Sequence, residues 1–184
     1  AVSENPGLRI LVIVSGIMTC FLGTFQVLSK PIVLDFTDST TLGTVETVCA
    51  CGMLVSALIL GIKGLKKNYA VTLTIALSFA GIAMTLFGIK QNICFMSVVG
   101  FLFFAALPFA NTCLDYLTRI SIPQEKQGRV WGVIGFLSQL GYVASYGFAG
   151  ILADTVSAGK GISVGQGASR VVIVSGILLV ATAV

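Results

Sequence analysis

Six intervals of this chain carry no charged residue, and nothing else in the sequence limits its fold as strongly. They run from Ile10 to Ser29, Thr47 to Ile62, Asn68 to Ile89, Gln91 to Leu114, Val130 to Ala153, and Val171 to the end. A helix needs about 20 mostly apolar residues to cross the hydrocarbon core of a bilayer. Four of the six intervals reach that length, and the Thr47 interval comes close once Leu42 to Glu46 is added. Charged residues make up 10% of the 184, where a soluble domain carries about a quarter. The chain therefore reads as all-α, a polytopic bundle of six transmembrane helices over about 9–34, 42–62, 69–89, 93–117, 130–153 and 170–184. Residues 171–184 would rise only about 21 Å as a helix, so the sixth helix is expected to be truncated. The opening AVSENPGLR has no signal-peptide pattern. The chain is expected to be a piece of a longer protein, or one whose final helix is incompletely represented.

Basic residues orient the helices. Arg9, Lys63, Lys66, Lys67, Arg119, Lys126 and Arg129 gather on one side, against Lys30, Lys90, Lys160 and Arg170 on the other. Short loops richer in Lys and Arg face the cytoplasm, which makes the loops at 63–68 and 118–129 cytoplasmic. Tyr69, Tyr116 and Trp131 flank that side as interfacial aromatics do. The expected location is the cell (inner) membrane. The net charge of +4 follows from the same bias and gives no support for nucleic-acid binding.

The second of these loops is unusual. In TRISIPQEKQGRVWG (118–132), Arg119, Glu125, Lys126 and Arg129 crowd together, Pro123 fixes a turn, and Gly128 releases the backbone before the fifth helix. The spacing P-x-E-x-x-G-R-V-x-G, formed by Pro123, Glu125, Gly128, Arg129, Val130 and Gly132, resembles a recurring loop of the major facilitator superfamily. In drug-efflux-type members that loop joins the tenth and eleventh helices. The resemblance extends through PFANTCLDYLTR (108–119) and FLSQLGYVASYGFAGILAD (136–154), about 45 residues in all. GIKGLKKN (61–68) is similar to the superfamily's G-x-x-x-D-R/K-x-G-R/K-R/K loop, without its Asp. The resemblance implies that residues 1–184 form the C-terminal six-helix half of a twelve-helix transporter whose N-terminal half is absent from this chain. IVSGI occurs at Ile13–Ile17 and again at Ile173–Ile177, in helices of opposite direction. A five-helix inverted repeat would also generate that pair.

Polar residues inside a bilayer cost free energy unless they have a partner or a water-filled cavity. Glu46 and Asp115 are the acids available for proton coupling. Glu46 also reads as an interfacial acid about one turn into its helix, stabilised by the helix dipole. Asp115, in the last turn of the fourth helix, opposes the dipole and needs cations; Arg119 lies at i+4 and Arg129 opens the next helix. These three, with Glu125 and the loop lysines Lys66 and Lys67, read either as a cytoplasmic gate or as ordinary interfacial charges. Gln139, Tyr142 and Tyr146 recur on one face of the fifth helix. With Gln26 and Asn111 they are expected to line a substrate cavity; the competing reading is hydrogen bonding between helices.

Enzyme chemistry has little footing. The chain has no histidine, which removes H-E-x-x-H metal sites and Ser-His-Asp triads. The five cysteines suggest neither zinc nor a disulfide framework, and the 21 glycines are scattered along the helices, as close helix packing requires. No ATP-binding element is visible, and no metal or other cofactor is expected. The expected partners are a small-molecule substrate, the lipid bilayer and the other transporter half. The function expected is proton-coupled efflux of small hydrophobic or amphipathic compounds. The alternatives are an uptake permease for a small metabolite, or a membrane scaffold or assembly subunit that transports nothing.

Overall fold

Within a bilayer each backbone N–H and C=O must find its partner in its own segment, so long apolar runs become helices. The computed structural model describes residues 6–65, 68–122, 124 and 127–183. It consists of α1 (Pro6–Leu34), α2 (Ser39–Lys63), α3 (Tyr69–Ile89), α4 (Ile93–Ile120), α5 (Gln127–Lys160) and α6 (Val164–Ala183), with no strand among the described residues. All six helices are long and apolar enough to cross a membrane, and the protein is a multi-pass membrane protein.

Six helix ends differ from the sequence expectation by three residues or more; among them, α1 starts at Pro6 and α5 runs on to Lys160. The sixth helix starts at Val164, ahead of Arg170, and its 20 residues rise about 30 Å; it is not too short to cross. Its start is fixed by Ser163, whose Oγ accepts from the Gln166 N–H at 3.2 Å and whose carbonyl accepts from the Gly167 N–H at 3.0 Å. α5 begins at Gln127, so Gly128 lies inside the helix and does not precede it. α2 begins at Ser39, and α4 continues to Ile120. Glycine ends α2 and α5 through left-handed backbone that other residues resist: Gly64 has φ 64° and Gly161 has φ 61°. The Gly64 N–H reaches back to the Leu60 carbonyl at 2.9 Å.

The packing order is an open ring, α2–α4–α3–α6–α1–α5, in which α2 and α5 are the free ends. Exchanging α1, α2, α3 for α4, α5, α6 maps the α2·α4 contact onto α1·α5 and α3·α4 onto α1·α6, and it leaves α3·α6 unchanged. The exception is α5, which also packs on α6 without a matching contact between α2 and α3. This pattern relates α1 to α4. The five-helix repeat suggested by the IVSGI echo would instead relate α1 to α6, which here lie side by side.

The backbones come close where α3 crosses α6, as they do where Gly52 of α2 meets Phe101 of α4. A Cβ on Gly176 would lie 2.7 Å from the Gly81 carbonyl oxygen, and one on Gly88 would lie 2.7 Å from that of Ser169. Behind the ring opening sits an aromatic core. The Phe25 ring centroid is 4.1 Å from Phe103 and 4.9 Å from Phe87. The outside is as apolar as the inside: Ile62 is 83% exposed, and Ile75, Ile82 and Ile89 form an exposed row along α3. In water such a surface would be a liability; beside lipid it is simply solvated.

At one end of the bundle, Tyr69 stacks on Tyr116 with centroids 3.9 Å apart, and Val12 packs against Ile122, Val130 and Ile134. This end carries the basic loops. At the opposite end the Ser163 hydroxyl donates to Asp35 Oδ2 at 2.8 Å, tying the end of α1 to the start of α6.

Candidate functional site

A cavity of about 280 Å³ opens between α1, α2 and α4, with Phe87 of α3 closing its back. α1 contributes Phe25, Gln26, Ser29, Lys30 and Val33. These fall on one helical face because residues three and four apart are neighbours. α2 contributes Leu42, Val45, Glu46, Cys49, Ala50 and Met53, and α4 contributes Phe104. The space therefore has an aromatic and aliphatic lining with four polar groups, two of them ionisable. Both of these groups, Lys30 and Glu46, are exposed, so the cavity opens to the outside of the bundle.

Gln26 is held from the side. The Tyr146 hydroxyl of α5 donates to its Oε1 at 3.2 Å, which leaves the Gln26 amide N–H groups for the cavity. This reach is possible because Gly23 has no side chain: a Cβ there would lie 3.0 Å from Ser145 Cβ and 3.2 Å from Tyr142 Cδ1. Tyr142 lies beside Tyr146, with ring centroids 5.9 Å apart. Prolines add two unusual carbonyls. Pro31 and Pro108 lie inside α1 and α4 and have no N–H for the carbonyls of Val27 and Phe104 one turn earlier.

Glu46 is not where the sequence placed it. With α2 starting at Ser39, it is the eighth helical residue and the first turn holds no acid. Helix-dipole stabilisation fades within the first turn, so the helix-start explanation for this carboxylate does not apply. Lys30 lies within α1, as the expected helix over 9–34 has it. α1 runs on through Pro31 to Leu34 and places the ammonium in the wall of the cavity.

Of the five residues expected to line a substrate cavity, Gln26 does so, and Tyr146 and Tyr142 are grouped with it across the α1–α5 contact. In this cluster Tyr146 bonds to a neighbouring helix, and the group it bonds to faces the cavity. Asn111 and Gln139 are exposed on α4 and α5 and are not among the lining residues. Asp115 and Arg119 are exposed one turn apart near the end of α4, and Arg129 is exposed at the start of α5. No side-chain hydrogen bond joins them among the described residues. With α4 extended to Ile120, Asp115 lies ahead of the last turn, which holds Arg119. Lys66, Lys67, Pro123, Glu125 and Lys126 lie outside the described residues. Lys30, Phe25, Phe87 and Phe104 were not singled out as site residues. The available signal was the Gln26–Lys30 spacing of one helical turn.

No cluster of metal-ligating side chains occurs among the described residues, and all five cysteines are free, Cys49 buried and Cys51 exposed on opposite sides of α2. No family model, no curated protein and no solved structure matches this chain.

Proposed function

We propose that this chain is the C-terminal six-helix half of a secondary transporter of the major facilitator type. It exports small hydrophobic or amphipathic compounds in exchange for protons by alternating access. The carrying observation is the open cavity in the wall of an otherwise apolar bundle, with Gln26, Lys30 and Glu46 in its lining. Ionisable groups within membrane spans mark pathways by default, because an idle charge there is costly. The near-symmetric pairing of α1–α3 with α4–α6 supports the same reading, since two three-helix repeats within each six-helix half are the plan of that superfamily. In this scheme Glu46 carries the proton. The ring opening between α2 and α5 receives the partner half, and the basic end with Asp115, Arg119 and Arg129 faces the cytoplasm and closes the inner gate. A scaffold or assembly subunit would need no open cavity between its own helices.

The test is flux in inside-out vesicles with an acid interior, using this chain joined to the six helices that precede it. The reading expects uptake of an amphipathic substrate that stops when the gradient is collapsed and falls steeply in Glu46→Gln. The isolated chain, reconstituted as a monomer, is expected to give no flux. Uptake that ignores the gradient and Glu46 refutes proton coupling; absence of flux from the joined protein refutes transport.

A further inference from the structure

The lining of the cavity narrows the substrate further than amphipathic character alone. Lys30 of α1 and Glu46 of α2 contribute one charge of each sign to the same space. A lone cation there would select anions, and a lone anion would select cations. One of each matches a ligand that itself carries both, because each charge then finds a partner of opposite sign. The neutral groups sort in the same way. Gln26, its oxygen engaged by Tyr146, has N–H donors left for a carboxylate one turn from Lys30. Phe104, Leu42, Ala50 and Met53 supply the accessible apolar surface. Phe25 and Phe87, almost wholly buried and packed edge to face, back it. The volume, about 280 Å³, lies below the range of about 300–1,000 Å³ typical for drug-sized ligands, so the ligand is small.

We propose that this cavity selects small zwitterionic amphipaths, compounds that carry an ammonium and a carboxylate on one bulky apolar group. Lys30 and Gln26 take the carboxylate, Glu46 takes the ammonium, and Phe104 with Met53 takes the apolar group. The inference rests on reading this cavity as the substrate site.

The test is calorimetric titration of the purified chain in lipid nanodiscs with four probes that share one ring: L-phenylalanine, 3-phenylpropionate, 2-phenylethylamine and 2-phenylethanol. L-Phenylalanine is expected to bind about tenfold more tightly than either singly charged probe, the fold-change expected for one charge-assisted contact. Lys30→Gln removes its advantage over 2-phenylethylamine, and Glu46→Gln removes its advantage over 3-phenylpropionate. Ala50→Trp, which fills the cavity from an exposed position on α2, abolishes binding of every probe. If a singly charged or neutral probe binds as tightly as L-phenylalanine and Ala50→Trp still blocks it, zwitterion selection is overturned while the substrate site stands. If no probe binds, or Ala50→Trp has no effect, both are overturned.

Discussion

The crossing of α3 and α6 offers the sharpest test of the packing, because contact there is made by backbone that cannot swing aside. A Cβ on Gly176 would lie 2.7 Å from both the Gly81 carbonyl oxygen and the Thr85 nitrogen. Ordinary contact needs about 3.5 Å, so Gly176→Ala must push the two backbones apart by roughly 0.8 Å. Overpacking of this kind costs about 1–3 kcal/mol, offset by the gain of about 1 kcal/mol that alanine brings to a helix. Gly147→Ala on α5 isolates the first term, since nothing lies within 4 Å of a Cβ there and the propensity gain is shared. Thermal unfolding in detergent, followed with a thiol-reactive dye that reports release of the buried Cys49 and Cys113, should place Gly176→Ala about 1–3 kcal/mol below Gly147→Ala. Gly81→Ala should cost a similar amount, since its Cβ would lie 2.8 Å from the Gly176 carbonyl oxygen. The double variant should cost less than the sum, because the helices need to separate only once. Equal stability of Gly176→Ala and Gly147→Ala would refute the close crossing.

Three further outcomes are expected. Tyr146→Phe removes the hydroxyl that holds Gln26 and should destabilise the bundle by about 0.6 kcal/mol, the usual worth of such a bond between membrane helices; a double-mutant cycle with Gln26→Leu measures the coupling. Ser163→Ala removes both the cap on α6 and the bond to Asp35 and should cost about 1 kcal/mol or somewhat more, read in the same dye assay, whereas Thr44→Ala on the exposed face of α2 should cost little. In the joined transporter, Asp115→Asn should lower turnover more than substrate affinity, and the swap Asp115→Arg with Arg129→Asp should restore part of it. Additive effects in that cycle would mark these as ordinary surface charges, each worth only about 0–1 kcal/mol.

The sequence by itself determined the class of the protein, the number of its helices and where most of them lie. Lipid leaves the backbone no alternative to the helix, so the charge-free intervals located α1, α3 and α4 closely. Helix ends were less legible: α1 starts at Pro6 and α2 directly after Asp38, each three residues ahead of the expected start. α6 was misjudged because Arg170 looked like a boundary, while the glycines before it, poor helix formers, were needed at buried crossings with α1 and α5. Glu46 and Lys30 show the larger gap. A sequence reports that an ion lies near the end of an apolar run, but not which helix it will face. Only the tertiary structure decided that α2 starts early enough to carry Glu46 past its first turn, and that the face of α1 bearing Lys30 turns toward the same space. The grouping of Gln26 with Tyr146, 120 residues away, depends on a glycine that lets α1 and α5 approach. Periodicity fixes which residues share one helix face; which faces meet is set by where small side chains let two backbones come close, and that is a property of pairs that no single helix displays.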